Sequence, residues 1–144
     1  MLSASRALVA VAARSLADAG EEVTLTQYRS LVVLASRGPQ SLTTLAELLS
    51  VKPSTASRMC DRLVRKRLIV RRADAADRRQ VRLVLSARGQ ELVAGVTERR
   101  RREIVELLAV IPSGEQASVA EALQRLADAA GEVRKQDWSS GWDL

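Results

Sequence analysis

The residues best equipped for chemistry are cations, and they are gathered in one place. Between Lys52 and Arg82 the sequence holds eleven Lys and Arg against three Asp, a net charge of +8, while the rest of the chain carries a net −2. Guanidinium groups dock on phosphates and donate paired hydrogen bonds to planar acceptors. A segment of this charge implies a polyanion partner: nucleic acid first, with an acidic membrane surface as the rival. Its densest stretch, "RRADAADRRQ" from Arg71 to Gln80, has four Arg and two Asp between the apolar runs "LIV" and "VRLVLS".

Other chemistries lack their residues. There is no His, and Cys60 is the single cysteine. That removes His acid–base catalysis, Ser-His-Asp and Cys-His nucleophile sites, and Cys/His zinc sites. No pair of carboxylates lies in an apolar setting. An enzyme is therefore disfavoured, and no metal or cofactor is expected. One cysteine cannot close an intramolecular disulfide, which fits a reducing cytoplasm. No stretch is long and apolar enough to span a membrane. The opening "MLSASRALVAVAARSLADAG" has no acid before Asp18, in the manner of a transit peptide, but Arg14 interrupts its apolar run. An ordinary amphipathic helix is the better reading.

The elements that must position the cations follow from the apolar period. A length of 144 residues suggests one domain or two small lobes. With 2% aromatics and no Phe, the core must be Leu, Val, Ile and Ala, a composition that favours helices. A first helix is predicted over about Ser3 to Ala19, with Leu8, Ala12 and Leu16 on one face. A second opens at "LTQ" with Thr26 as N-cap, carries Leu31, Leu34 and Ala35, and stops at "RGPQ". A third starts from the N-cap Ser41, with Leu45, Ala46, Leu48 and Leu49 inward. The fourth starts at Pro53, a favoured first helical position, and runs to about Arg67 with Ala56, Met59, Cys60 and Leu63 at helical spacing. The period then changes, and Leu68 to Arg72 and Gln80 to Leu85 read as strands joined by the basic loop. Ser86 caps a fifth helix to about Val110. A sixth begins at "IPSGEQ", with Ser113 and Gln116 as a capping box and a stripe of Val119, Leu123, Leu126, Ala127 and Ala130.

Two helices joined by a tight turn and followed by a basic hairpin describe a winged helix-turn-helix. The fold class expected is mainly α with a small β-hairpin wing. A helix fits the major groove of DNA. Once the core positions of the fourth helix are removed, Ser54, Thr55, Ser57, Arg58, Arg62 and Arg65 remain exposed. The short hydroxyls approach bases and phosphates near the helix N-terminus, and Arg58 can reach a guanine edge. Lys52 and Arg62 are placed as phosphate clamps, as are Ser41, Thr43 and Arg65. A wing beside this helix reaches the adjacent minor groove, whose negative potential attracts Arg. Asp77, Arg78 and Arg79 supply the cation and a carboxylate to hold its guanidinium, and Asp74 suits a turn.

The stretch from Leu42 to Gly89, "LTTLAELLSVKPSTASRMCDRLVRKRLIVRRADAADRRQVRLVLSARG", resembles the signature region of the MarR family of bacterial transcription regulators. Its most specific parts are "LAELL", "PSTASRMCDRL" and "RRADAADRRQVRLVLSARG"; "LTQYRSLVVLASRGPQS" and the final helix also fit. The resemblance implies a homodimer whose outer helices (residues 1–22 and 86–137) pair between subunits. The winged lobe (residues 23–85) lies between them and a tail covers 138–144. It implies binding of double-stranded DNA at near-palindromic sites, usually to repress, and in many members release by a small, often phenolic, effector bound between the lobes. It places Asp77 and Arg79 as the wing-tip pair and Ser54 to Arg58 as the base-reading start of the recognition helix. Ser50 and Arg67 stand where the family commonly has Gly, at Arg67 often with positive φ, which is unfavourable for other residues. A sequence-indifferent architectural DNA protein is the alternative.

Three features lie outside this scheme. Cys60 reads as a small buried hydrophobe rather than a redox sensor. "ERRRREI", Glu98 to Ile104, reads as a solvated face with the pairs Arg99–Glu103 and Arg102–Glu106. The competing reading is an ion cluster between lobes or subunits, or an anion site. Tyr28, the only tyrosine, fits a ligand cavity or the core equally, and Trp138 and Trp142 fit a cover on a partner subunit or a frayed end.

Overall fold

Helices form where the apolar period predicts them, with ends set by local caps. The computed structural model describes residues 1–20, 22–74 and 76–138. The elements are α1 (Leu2–Ala17), α2 (Leu25–Arg37), α3 (Leu42–Leu48), α4 (Pro53–Arg65), β1 (Ile69–Ala73), β2 (Val81–Leu85), α5 (Ala87–Ala109) and α6 (Ser113–Ala129). A single 3-10 turn follows at Lys135–Asp137. Trp142 lies outside the described residues.

Ser41 and Ser86 cap α3 and α5 as predicted, each hydroxyl accepting from the backbone N–H three residues on. Two caps differ. Helix α2 is capped by Thr24, not Thr26: Thr24 accepts from Gln27 N, and Gln27 Oε1 accepts from Thr24 N at 3.0 Å. The box closes there because Gln27 can accept a hydrogen bond, whereas the residue three beyond Thr26 is Arg29, which cannot. The Ser113–Gln116 box does not form either. Pro112 is the cap residue of α6, and Gln116 Nε2 donates back to Ile111 O at 2.9 Å, a carbonyl before the helix.

The strands pair antiparallel in a two-stranded hairpin, Ile69 with Leu85 through Ala73 with Val81. Each is one residue shorter or shifted relative to the predicted spans. Gln40 adds a bridge the sequence did not signal: Gln40 N donates to Leu83 O at 3.1 Å and Leu83 N donates to Gln40 O at 2.8 Å. This ties the end of α2 to the wing base.

The core lies where α2, α3, α4 and the hairpin base meet the first half of α5. Leu31, Leu45, Leu63, Leu68, Ile69 and Leu83 are its largest fully buried side chains. Leu92, Val93 and Val96 close it from α5, and Leu16 from α1. Gly89 is required at the junction: a Cβ there would sit 2.1 Å from the Leu68 carbonyl oxygen. The outer helices differ. Leu8 is exposed although Leu16 on the same face is buried, and α6 buries no residue at all.

Candidate nucleic-acid interface

The turn between α3 and α4 sets the angle of the exposed helix. Ser50 adopts φ 53° and Arg67, just past α4, adopts φ 58°; they are the two non-glycine residues with positive φ among those described. Both lie where the family pattern has Gly. The left-handed geometry is thus kept with side chains that make it less favourable. Around Ser50 the backbone closes through Ser50 N to Glu47 O and Val51 N to Ala46 O, both at 3.0 Å. Leu68 N to Leu63 O, also at 3.0 Å, does the same after α4.

Helix α4 is sharply two-sided. Ala56, Met59, Cys60 and Leu63 are buried, while Ser54, Thr55, Arg58, Arg62 and Arg65 are exposed and Ser57 is half-buried. Burial pushes the Cys60 thiol up to about 11, so it stays protonated and packs as an apolar group. Lys52 occupies the N-cap with its side chain exposed and makes no capping bond, leaving the positive helix end open to an acceptor. The carboxylate of α4, Asp61, does not neutralise the neighbouring arginines. It pairs with Arg71 of β1 at 2.6 Å, joining the exposed helix to the wing. Arg58, Arg62 and Arg65 have no ion pair among the described residues.

The two wing aspartates have separate tasks, and that of Asp77 is not the predicted clamp on a tip guanidinium. Asp77 Oδ1 accepts from the backbone N of Arg79 at 3.0 Å, and Asp77 Oδ2 from Gln80 Nε2 at 3.4 Å. A short Asx side chain reaches its own chain two residues on more readily than the far end of an Arg. The loop is shaped, and the Arg78 and Arg79 side chains are left exposed with no ion pair among the described residues. Asp74 does make the predicted turn, Oδ1 accepting from Ala76 N at 2.7 Å. Its Oδ2 also takes the Arg82 guanidinium of β2. The hydrogen bond from Arg82, then that from Ala76 N, holds the Asp74 carboxyl below the usual carboxylate range. The Ser41 hydroxyl is spent on Thr44 N and Thr44 Oγ1, so this residue offers less to a phosphate than predicted; Thr43 is exposed.

A polar seam runs along α5, facing α1 on one side and α2 of the lobe on the other. The predicted pairs Arg99–Glu103 and Arg102–Glu106 do not form. Glu103 instead turns to α1, accepting from Arg14 Nη2 at 2.9 Å and from the buried Ser15 hydroxyl at 3.2 Å. Arg99 Nε donates to Ser15 O at 3.1 Å. A local pair of the solvated-face kind does form, between Arg101 and Glu98 at 2.8 Å, while the Arg14–Glu103 pair joins two outer helices rather than the lobe or a second subunit. Arg100 lies over the buried Tyr28 ring, 5.6 Å from its centroid, and its Nε is shielded from solvent with no hydrogen-bond partner among the described residues. Tyr28 is a core residue, its hydroxyl 3.5 Å from Thr97 Oγ1. Asp61–Arg71, Asp74–Arg82 and Arg14–Glu103 had no local signal, since each joins different elements.

The model of the MarR family matches residues 23–81. The transcriptional repressor MdtR of Bacillus subtilis is 32% identical over 83% of this chain and 77% of its own. The chain belongs to the MarR family. Among solved structures, RV1404 of Mycobacterium tuberculosis is 42% identical with a TM-score of 0.87, covering 93% of this chain and 91% of that one. A variant of MepR from Staphylococcus aureus, solved bound to an oligodeoxyribonucleotide, shares the fold alone: 22% identity, TM-score 0.65, 88% and 91% covered. As a MarR-family protein the chain is a DNA-binding winged-helix transcription regulator, from a family of regulators rather than enzymes. No helix among the described residues is long and apolar enough to cross a membrane.

Proposed function

We propose that this MarR-family regulator is a cytoplasmic repressor that binds a near-palindromic operator as a homodimer and responds to a small acidic effector. The observation that carries the DNA reading is the set of cations without carboxylate partners among the described residues. Arg58, Arg62 and Arg65 line the outer face of α4, Arg78 and Arg79 the wing tip, and every nearby Asp is engaged in holding the scaffold. In this reading Ser54, Thr55, Ser57 and Arg58 approach base edges in the major groove. Lys52, Arg62 and Arg65, with the exposed Thr43 and, to a lesser degree, the cap residue Ser41, meet phosphates, and Arg79 enters the minor groove beside Arg78. Repression follows MdtR, whose name states that role.

The homodimer is supported by the apolar side chains that the outer helices leave exposed: Val9, Val105, Val110, Leu123 and Leu126. A second copy is the partner that such a surface fits, and two-fold symmetry then sets two α4 helices about one helical turn of DNA apart. The effector is supported by Arg100, whose shielded and unpaired Nε beside Tyr28 suits a carboxylate. Thermal shift with benzoate, against neutral benzyl alcohol, checks this: stabilisation by benzoate alone, lost in Arg100→Gln, is expected. Equal response to both compounds counts against it.

The DNA reading is tested by fluorescence anisotropy with the duplex upstream of the chain's own gene and a shuffled duplex, at one fixed near-physiological salt. A preference of about a thousandfold is expected of a specific regulator. Equal, salt-sensitive binding to both would favour an architectural protein.

A further inference from the structure

The end of α6 is held by α2, across the boundary between the outer helices and the winged lobe. Helix α6 has no basic residue in its last turn. Its negative end is met instead by two guanidinium groups eight residues apart on α2. Arg37 Nη2 donates to Gly131 O at 2.8 Å. Arg29 grips both oxygens of Glu132, one of them at 3.0 Å from Nη1. A cation from another element thus occupies the position that favours positive charge at a helix C-terminus. The chain is turned to reach it: Gly131 takes φ 73°, and Glu132 N donates to Ala127 O at 3.1 Å. Arg134 then folds back on Asp128 of α6 at 2.6 Å. Beyond it Trp138 packs against the lobe's core cluster, its Nε1 donating to Val133 O at 3.1 Å.

We infer that residues Gly131–Trp138 form a clasp that fixes the stance of the winged lobe relative to α6, and so sets operator affinity from outside the DNA-binding surface. The inference rests on the chain's binding DNA as proposed. Arg29 and Glu132 are positioning residues: they act through α2, which packs against α3 and α4 through the shared core. Tightening or opening the clasp changes how readily both halves of a dimer meet their half-sites together. Two signals that propensity cannot supply, a long-range ion pair and a buried tryptophan face, hold it shut.

The test uses the sign of a charge change. Glu132→Lys adds positive charge, which by electrostatics alone strengthens binding to any DNA. If the clasp couples to the lobe, the same change repels Arg29, opens the segment and weakens operator binding roughly fivefold, with shuffled-duplex binding unchanged or slightly stronger. The exchange Arg29→Glu with Glu132→Arg restores the wild-type charge and the operator affinity. The variants are made in a Trp142→Phe background, which leaves Trp138 as the one tryptophan. Opening then red-shifts its emission and admits acrylamide, with or without DNA. Unchanged Trp138 emission in Glu132→Lys overturns the clasp. Shifted emission with operator affinity held or raised overturns the coupling. A wild type with no operator preference removes the DNA reading and the coupling together, while the tryptophan signal still reports whether the clasp forms.

Discussion

The winged lobe and the outer helices are built from similar residues and end in opposite states. In the lobe, α2, α3, α4 and the hairpin bury Leu31, Leu45, Leu63, Leu68 and Leu83 completely, and its carboxylates are used to hold strands and turns. What it leaves outward is mostly charge, with Leu25, Val81 and Leu48, which was expected inward, as the exposed apolar exceptions. Helix α6 also carries an apolar stripe, less sharply segregated than that of α4, yet nothing on it is buried, and what it leaves outward includes Leu123 and Leu126. A helix with an apolar face forms stably only by covering it. The lobe covers its own faces and keeps cations for a polyanion. The outer helices keep apolar area outward, which the proposed homodimer would cover.

That contrast can be broken most strongly on the apolar side. Leu126→Asp should weaken dimerisation by a hundredfold or more, because a charge in an apolar interface core costs several kcal/mol. Sedimentation velocity across a dilution series reads it, and an unchanged dimer means that α6 faces elsewhere. Gly89→Ala tests the junction between the two regions. Its methyl would meet the Leu68 carbonyl oxygen at 2.1 Å. A loss of about 2–3 kcal/mol is expected in urea unfolding, and a neutral result means that α5 can shift away from β1 without penalty.

On the charged side, the pair Arg79→Ala and Lys52→Ala separates reading from docking. Arg79→Ala should cut operator affinity about tenfold to a hundredfold and shuffled-duplex affinity much less. Lys52→Ala should weaken both duplexes alike, by a few-fold, and flatten the salt dependence by about one phosphate's worth. Loss of operator preference in Lys52→Ala, or none in Arg79→Ala, exchanges the two roles.

The smallest effect is at Asp74. Its folded carboxyl titrates below its unfolded value of 3.8, so its contribution is fully present above that value and is lost as pH falls through the lower folded one. Wild type and Asp74→Asn should therefore differ by a constant, small amount in operator affinity between pH 6 and pH 8. A gap that closes within that window means that Asp74 is not held low by Arg82.

The elements legible in the sequence were those whose cause is local. Pro53 and the spacing of Ala56, Met59, Cys60 and Leu63 announced α4, and Ser41 and Ser86 announced their helices, because caps and periodicity act within one turn. The exposed arginines of α4 and the wing were legible for the same reason, being what remains once the apolar positions are assigned. The partners of the carboxylates were not. Asp61 has Arg58, Arg62 and Arg65 beside it on α4 but pairs with Arg71, and Glu103 has Arg99 one turn away but pairs with Arg14. Such choices depend on which element folds against which, and local spacing does not carry that. Asp77 was misread in the other direction: the backbone N of Arg79 was nearer than its side chain. Trp138 found its own chain's core because Gly131 turns the segment back, a tertiary outcome that its polar neighbours conceal.

The central claim is that two copies of this lobe read DNA together, α4 in successive major grooves and the wings in the flanking minor grooves. Hydroxyl-radical footprinting on the duplex with highest affinity tests it at nucleotide resolution. The account predicts two symmetric protected regions about ten base pairs apart, centre to centre, each flanked by minor-groove protection that Arg79→Ala removes. A single asymmetric footprint, or even protection along the whole duplex, would contradict it.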